Sequence, residues 1–517
     1  MSGPAGACDA GPVTVSCAAH PASRRVAALL LLVALTGCGT TVPLAQQQLG
    51  SAGTADGLTP GGSSAVAPGT GGAVAGGTTG AGVVGSTGTP VGSVGTPGGT
   101  TTGGGAVPGR GTTGSTADRA RDTSPVTVAV FHLNGGNQAL SAAFPGSSVS
   151  FGDGKREATV VINDVNARGG AGGRKIIPKF VPVEAADAGN TGLQKACQGA
   201  VQDYKPLAIF AMFNLAEGLA SCAKKYGVLI VDVALGAGDD KLYADARDIA
   251  FSPSQISRDA EQKLVLGLAR QAGQLPSGKP VGILVQGDDP SYGRVAKGTI
   301  EPLLTSYGVP FITQSISTGA DTNGINAAIL KFASSNVDTV VFSVGNGGIP
   351  EVLFMQSAEQ QQYRPAYLMG DSTNTSFVGG SAPANQIKRI AGAGTYPLAN
   401  VRADQYPSSP GEKRCLALLN KEIGGYNNRA SSLTGTLYCE MAESFAFVAG
   451  AVPGKLTAAA WAAAYHQLGS SYQAVTTFGT RFVPGRMDGA SAYRTLGYGA
   501  SCSCITYTSP VRAIPAL

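Results

Sequence analysis

Nine cysteines and three histidines are the side chains of this 517-residue chain best suited to form covalent or metal bonds. Six of the cysteines lie beyond residue 120: Cys197, Cys222, Cys415, Cys439, Cys502 and Cys504. An even number predicts disulfides in an exported protein, although six cysteines allow fifteen pairings. We favour the pairs 197–222, 415–439 and 502–504, because both members of each pair fall within one structural segment. A metal site is the alternative, but the same region holds only His132 and His466 and no paired C-x-x-C.

A separate cysteine, Cys38, ends an export signal. Arg24 and Arg25 precede the apolar run Val26–Leu35, and Leu35-Thr36-Gly37-Cys38 follows at its end. This is the pattern of a secretory signal, and the run is too short for a permanent membrane span. The ending resembles the lipobox of bacterial lipoproteins, which implies cleavage of signal peptide 1–37 and lipidation of Cys38. That anchor would hold the protein on the outer face of the bacterial cell membrane. An ordinary cleaved signal with an incidental cysteine is the alternative.

The segment that follows Cys38 has the composition of a tether. Residues 41–120 are mostly Gly, Thr, Ser, Ala, Val and Pro, and no Phe, Tyr or Trp occurs before Phe131. Such a segment buries too little apolar surface to offset the entropy lost on ordering. A flexible chain of this length has an end-to-end distance of roughly 50 Å. We therefore predict a lipidated, disordered tether over residues 38–125 and a folded part from Val126 onward.

Charge and motif content exclude several classes of function. The net charge of +5 is spread over the whole chain without any Lys/Arg run, which predicts no nucleic-acid partner. The chain has no G-x-S-x-G or H-E-x-x-H motif, and few histidines are available for acid–base catalysis. Gly345–Pro350 nearly matches a dinucleotide fingerprint, but Pro350 stands where the last glycine is needed. An enzyme, a bound metal and a cofactor are therefore not expected.

Apolar runs alternate with helical patterns through the folded part, in two series separated by Phe251–Ser254. The first series of predicted strands is Val126–Phe131, Lys175–Val183, Leu207–Met212 and Val228–Val233. The second is Val281–Val285, Phe311–Ser315, Thr339–Ser343 and Ala366–Met369. Strand–helix alternation favours parallel sheets covered by helices on both faces. The predicted fold class is α/β, with two doubly wound parallel-sheet lobes.

Polar loops leave the carboxyl ends of these strands, where open parallel sheets bind ligands. They are Leu133–Asn137, Phe213–Leu215, Ala234–Gly238, Gln286–Gly293, Val344–Gly348 and Gly370–Asn374. The composition of any single loop is explained by the residue types that turns favour. Six along the corresponding edges of two sheets favour a polar cleft between the lobes.

Four segments carry a resemblance to a known family. They are Val161–Gly170 with Gly173–Ile177, Arg247–Ser254, Asp288–Gly293 and Tyr367–Gly370. Their order resembles that of type I periplasmic binding proteins, the Leu/Ile/Val-binding-protein-like receptors of ABC importers. The resemblance implies a three-segment hinge, with lobe one at 126–251 and 396–480 and lobe two at 252–395 and 481–517. The spacing of Cys197 and Cys222 also matches a disulfide common in amino-acid binders of this group.

The resemblance also implies a ligand site and a partner. The expected lobe-one positions are Asn134, Gly135, Phe213, Asn214, Ala234 and Leu235, and the lobe-two positions are Tyr292, Asn346, Asp371 and Ser372. Lobe one departs from the family pattern, because Phe213–Leu215 and 234–236 contain no hydroxyl. The implied function is capture of a small polar molecule, such as an amino acid or amide, for an ABC permease. A ligand-sensing receptor for a separate membrane partner is the alternative, and Asp371 and Tyr292 have helix-capping and packing roles as alternatives.

Overall fold

The protein is represented by a computed structural model that describes residues 122–144, 150–233, 236–370, 374–395, 409–427, 431–432 and 434–516. These residues belong to one unit of the chain, Gly109–Leu517. The predictions of a signal peptide, of lipidation at Cys38 and of a tether fall outside the described residues, apart from the last few tether positions. None of the helices in the described ranges is long and apolar enough to cross a membrane.

The first sheet is five-stranded, and every pairing in it is parallel. Its strands are β1 (Val126–Asn134), β2 (Ile176–Glu184), β3 (Ala208–Ala211), β4 (Leu229–Asp232) and β5 (Ala250–Phe251), in the order β2-β1-β3-β4-β5. Strands β3 and β4 are buried along their whole length, as expected for a sheet covered on both faces. Parallel pairing brings the carboxyl ends of β1, β2 and β3 to one edge of the sheet.

Fifteen helices in the described ranges connect and cover the strands. They are α1 (Gly136–Ala143), α2 (Gly154–Ala167), α3 (Asn190–Tyr204), α4 (Glu217–Tyr226), α5 (Asp240–Asp245), α6 (Arg258–Gln271), α7 (Pro290–Val295), α8 (Glu301–Ser306), α9 (Thr322–Ser334), α10 (Ile349–Gln360), α11 (Thr375–Ser381), α12 (Ala384–Ile387), α13 (Pro410–Glu422), α14 (Gly435–Gly450) and α15 (Ala458–Tyr465). Short 3₁₀ segments cover Ala185–Asp187 and Asn346–Gly348, and a π-turn at Ala296–Ile300 joins α7 to α8.

The first lobe is completed by helices that come from much later in the chain. Residues of α13, α14 and α15 share one hydrophobic core with β1 to β5. Trp461 of α15 lies edge-on to Phe251 of β5, with ring centroids 4.9 Å apart, and stacks on Tyr465 at 5.6 Å. This lobe therefore forms only when two distant parts of the sequence come together.

The second sheet has eight strands. They are β6 (Val281–Gln286), β7 (Phe311–Ile316), β8 (Thr339–Ser343), β9 (Ala366–Met369), β10 (Ile390–Gly394), β11 (Ala492–Gly499), β12 (Cys504–Tyr507) and β13 (Arg512–Ala513). The order is β12-β11-β10-β9-β8-β6-β7, with β13 paired to β11. Strands β6 to β10 run parallel, whereas β11 pairs antiparallel with β10, β12 and β13. The sequence predicted parallel sheets only, and this antiparallel edge arises because the chain returns late and folds back on itself through short turns.

The six cysteines of the folded part are joined in neighbouring pairs. Cys197 of α3 bonds Cys222 of α4, and Cys415 of α13 bonds Cys439 of α14. The third bond joins Cys502 to Cys504 beside the start of β12. The first two bonds each tie adjacent helices of the first lobe, so they restrict the unfolded chain over loops of 25 and 24 residues.

Candidate ligand site between the lobes

A cavity of about 460 Å³ lies where the carboxyl ends of strands from both sheets meet. This volume is within the range of sites that hold a small organic molecule. Its lining residues are Leu133, Gly136, Ala139, Leu140, Phe144, Phe151, Ala185, Ala188, Gly189, Met212, Phe213 and Asn214 from the first-sheet side, and Asp288, Thr318, Gly319, Ala320, Gly347 and Ile349 from the second. The position agrees with the rule that open α/β sheets bind ligands beyond their strand ends.

The wall contributed by the first-sheet side is built from larger apolar side chains. Strand β3 runs directly into Met212, Phe213 and Asn214, so this turn places two apolar side chains and one amide at the sheet edge. Helix α1 follows β1 and adds Leu140 and Phe144, which are 5% and 3% exposed. Because these side chains are held by the core, they form a preformed apolar surface for a ligand.

The wall contributed by the second-sheet side is made mostly of small residues and backbone. Thr318, Gly319 and Ala320 follow β7, and Gly347 precedes α10 with a left-handed φ of 64°. Asp288 follows β6 and accepts a hydrogen bond from Gln286 Nε2 at 2.6 Å. This wall brings the polypeptide backbone close to the cavity, and Asp288 is its charged side chain.

A partly buried polar contact joins the lobes beside the cavity. Asn214 Nδ2 donates a hydrogen bond to Tyr292 Oη at 3.1 Å, and the Arg258 guanidinium lies 4.4 Å from the centre of the Tyr292 ring. Burial raises the pKa of Tyr292 to about 12, so the phenol is neutral at physiological pH. A Cβ at Gly345 would lie 1.7 Å from Tyr292 Oη, so only glycine permits this approach.

Ion pairs join the two lobes at a second place, outside the lining of the cavity. Arg294 Nε lies 2.7 Å from Asp239 Oδ2, its Nη2 donates to Asp239 Oδ1 at 3.2 Å, and its Nη1 pairs with Glu217. The side chain of Asp239 is 3% exposed, whereas that of Arg294 is 29% exposed. Arg294 belongs to α7 beside the second sheet, and both acids belong to the first lobe. This three-residue group, which we call the Arg294 clamp, ties the two lobes together through charge-assisted hydrogen bonds.

A further contact between the lobes is apolar. Phe144, at the end of α1, packs edge-on against Phe377 of α11 with ring centroids 5.4 Å apart. Leu140 and Phe144 share a hydrophobic core with residues of β8, β9 and α10, although α1 follows directly after β1 of the first sheet. We call the Phe144–Phe377 pair the apolar bridge. It joins α1 to the second lobe by excluding water.

The structure places the predicted site residues in several different environments. Phe213 and Asn214 line the cavity, while Gly135 caps the start of α1 with a φ of 69°. The exposed Asn134 donates to Glu184 at 2.7 Å, and Tyr292, which is 3% exposed, lies outside the cavity lining. Asn346 begins the 3₁₀ segment Asn346–Gly348. The remaining predicted positions, Ala234, Leu235, Asp371 and Ser372, lie outside the described residues.

Asn214 precedes helix α4 but does not cap it. The N-cap of α4 is Ala216, which forms no side-chain capping bond, and the amide of Asn214 bonds Tyr292 instead. Because the helix begins only at Glu217, Asn214 stays at the sheet edge.

Several lining residues were not predicted from the sequence. Helix α1 was missed because its eight residues carry a weak apolar pattern, and with it Leu140 and Phe144. The loop at 317–320 was not selected, although it follows a predicted strand and has the same Gly- and hydroxyl-rich composition as the selected loops. The strand-end rule would have identified it. The selected loops contain only Leu133 and Phe213 of the large apolar lining residues, whereas Leu140, Phe144, Phe151, Met212 and Ile349 lie outside them.

The sequence and fold of this chain are similar to those of known proteins. The family model described as periplasmic binding protein matches residues 140–491. No curated protein sequence matches the chain significantly. Many solved structures share its fold.

Three of these structures illustrate the range of ligands found on the same fold. A branched-chain amino-acid ABC transporter protein from Thermus thermophilus with bound valine matches at 14% identity and TM-score 0.56, covering 75% of this chain and 97% of that one. A solute-binding protein of an ABC transporter from Rhodopseudomonas palustris BisB5, in complex with 3,4-dihydroxybenzoic acid, matches at 13% identity and TM-score 0.55, covering 76% and 97%. A fatty-acid ABC transporter substrate-binding protein from Thermomonospora curvata matches at 12% and 0.54, covering 75% and 92%. At these identities the likeness concerns the fold alone.

Proposed function

The chain belongs to the periplasmic binding protein family, and we propose that it captures a small molecule between its two lobes and presents it to an ABC permease in the membrane. The observation that carries this proposal is the cavity at the carboxyl ends of strands from both sheets. A site divided between two lobes couples ligand binding to lobe closure, and closure is the signal that a membrane partner can recognise. The proposed role is binding without a catalytic step.

The contacts across the cleft support this reading. Asn214 with Tyr292 and Asp239 with Arg294 each join one lobe to the other, and Asn214 also lines the cavity. Pairs that form as two lobes close on a ligand add to the free energy of closure.

For the ligand, the sequence predicted a small polar molecule such as an amino acid or an amide. Asn214, Asp288 and Thr318 in the cavity wall support hydrogen bonding to such a molecule. Most of the remaining wall is apolar, so the ligand must also present carbon surface to it.

We further propose that the protein is anchored outside the cell membrane by lipid at Cys38. The support is the lipobox-like Leu35–Cys38 at the end of an export signal, together with three disulfides in the folded part. Acyl labelling of the wild type and of Cys38→Ser tests the anchor. Equal labelling of the two proteins contradicts it.

Native mass spectrometry of protein purified without unfolding tests the binding function. We expect a non-covalent adduct in the mass range of a small metabolite, which is lost on denaturation, and a thermal shift when a cell extract is added to stripped protein. The absence of both an adduct and a thermal shift contradicts the proposed function, whatever the chemistry of the ligand.

A further inference from the structure

The side chains around the cavity are unevenly divided between apolar and polar groups. Seven large apolar side chains line it: Leu133, Leu140, Phe144, Phe151, Met212, Phe213 and Ile349. Three polar side chains do so: Asn214, Asp288 and Thr318. Within the described lining there is no Lys or Arg. A ligand in this cavity is therefore covered mainly by carbon.

Two of the three polar side chains of the wall already bond to the protein. Asn214 donates to Tyr292 at 3.1 Å, and Asp288 accepts from Gln286 at 2.6 Å. Burying the two charges of a zwitterion costs several kcal/mol for each charge unless both find partners of good geometry. The described part of the wall has one carboxylate and no cationic side chain, so a positive charge finds an ionised partner among these residues and a negative charge does not.

The polar side chains come from connected loops. Asp288 and Thr318 follow the adjacent strands β6 and β7, and a Cβ at Gly287 would lie 3.2 Å from the carbonyl oxygen of Ile316. Asn214 bonds Tyr292, which is four residues beyond Asp288. Helix α1, with Ala139, Leu140 and Phe144, supplies the apolar part of the wall. The cavity thus has a polar side at the β6 loop and an apolar remainder.

Resting on the proposed function, we infer that the ligand has an apolar body, either an aliphatic chain or an aromatic ring, and a single polar end directed toward Asn214, Asp288 and Thr318. A zwitterionic amino acid is not the preferred ligand of this site. The apolar body gains free energy from each carbon that leaves water, while the polar end satisfies the few hydrogen-bonding groups of the wall.

Calorimetric titration of the stripped protein with compounds that share one carbon skeleton tests this inference. The probes are hexan-1-amine, hexanamide and hexan-1-ol, which have one polar end, and 2-aminohexanoate, which is zwitterionic. We expect at least one of the first three to bind at least tenfold more tightly than 2-aminohexanoate. Comparison of the three identifies whether the polar end is an ammonium group, an amide or a hydroxyl. Tighter binding of 2-aminohexanoate than of all three overturns the inference.

Chain length provides a second measurement. Extending the best head group from four to eight carbons should tighten binding by about fourfold for each methylene that the cavity covers. An affinity that does not increase with chain length overturns the inference, because it shows that the carbon body is not buried.

A substitution that fills the cavity from an exposed position tests the inference without disturbing the core. Ala139 is exposed on α1 and lines the cavity, so Ala139→Phe should weaken binding of the eight-carbon probe at least tenfold. Ala142→Phe is the matched control, since Ala142 is exposed on the same helix and does not line the cavity. Equal effects of the two substitutions overturn the inference.

Failure of the inference and failure of the proposed function give different results. If a zwitterionic solute such as leucine binds and the compounds with one polar end do not, the inference is wrong, but a solute-binding function still holds. If stripped protein binds none of the probes and shows neither an adduct nor a thermal shift with cell extract, both are wrong.

Discussion

The two lobes contribute to the ligand cavity in different ways. The first-sheet side supplies twelve lining residues, including six of the seven large apolar side chains, whereas the second-sheet side supplies six residues that are mostly small. The contacts that hold the lobes together differ in the same manner, with the polar Arg294 clamp at one place and the apolar bridge at another. Three of the six, Leu140, Phe144 and Phe151, also pack against the core of the second lobe. We infer that the apolar side chains in and after β1, α1 and β3 determine the affinity for carbon surface, whereas the small residues of the second-sheet side act mainly as a cover.

The largest effect is expected from loss of the apolar bridge. Phe144→Ala removes a ring that is 3% exposed and touches both the cavity and Phe377. A change of this type costs about 3 kcal/mol, so affinity for the co-purified ligand should fall on the order of 100-fold. Because the lost energy is hydrophobic, calorimetry should give the same ratio of wild-type to variant affinity at low and at high salt. Phe447→Ala, at a ring that is 40% exposed, is the control.

Loss of the Arg294 clamp should have a smaller effect that depends on salt. Arg294→Met leaves Asp239 without its guanidinium partner, and Asp239 is almost fully buried. After allowing for the partial exposure of Arg294, we expect a cost of about 1–2 kcal/mol, or five- to thirtyfold in affinity. The ratio to wild type should shrink at high salt. Arg294→Lys keeps the charge without the paired donors and should give an intermediate value.

An identical salt dependence for Arg294→Met and Phe144→Ala would contradict the distinction between the two contacts. So would a larger loss of affinity from the clamp than from the bridge, since it would place most of the closure energy on the polar side.

The hydrogen bond between Asn214 and Tyr292 should contribute less again. Tyr292→Phe keeps the ring beside Arg258 and removes only the hydroxyl that accepts from Asn214. A single neutral hydrogen bond corresponds to about 1 kcal/mol, so we expect roughly fivefold weaker binding. Tyr292→Ala is less informative, because the ring is buried and its removal also lowers stability. Unchanged affinity of Tyr292→Phe would show that the bond also forms, with equal strength, in the open protein.

The smallest effect concerns a buried acid of the second lobe, away from the contacts between lobes. Glu351 is fully buried on α10, and neither of its carboxyl oxygens has a hydrogen-bond partner among the residues that the structure describes, whereas Glu440 of the first lobe accepts bonds from Tyr472 and Thr476. Burial raises the pKa of Glu351 well above its ordinary value. The folded protein therefore keeps this proton to higher pH than the unfolded chain does.

The sign of the resulting pH dependence is defined by this raised pKa. The stability contributed by protonated Glu351 is complete below the ordinary glutamate pKa and decreases as pH rises toward the folded-state value. Glu351→Gln cannot ionise, so it should melt a few degrees above wild type at pH 8 and close to it at pH 4. The exposed Glu422→Gln serves as control. A variant that is destabilised equally at both pH values would contradict this account.

Much of the fold was predicted from local patterns. Strands β1, β3 and β4 lie within two or three residues of the apolar runs that predicted them, because a strand buried on both faces is marked by a continuous apolar run. The antiparallel strands β11 to β13 and the short helix α1 were not predicted, since their residues alternate less regularly and their burial depends on distant parts of the chain.

Two of the candidate ligand residues chosen from the sequence line the cavity, but the largely apolar character of its wall was not expected. The strand-end rule selected Phe213 and Asn214, which line the cavity, and the Asp288 loop. It gave no role to Leu140, Phe144 or Phe151, and it favoured a polar cleft because loop sequences report turn residues. The side chains that face a cavity are determined by how two lobes approach each other, which no local pattern contains.

The sequence by itself determined the alternation of strands and helices, the two-lobed family and the number of cysteines. These depend on the period of apolar residues, on motif order and on composition, all of which are local or additive. Tertiary structure alone decided that Arg294 meets Asp239 and Glu217, that Phe144 meets Phe377, and that Tyr292 bonds Asn214. Each of these contacts joins residues more than 50 positions apart, so it exists only after both sheets have formed and their edges have come together.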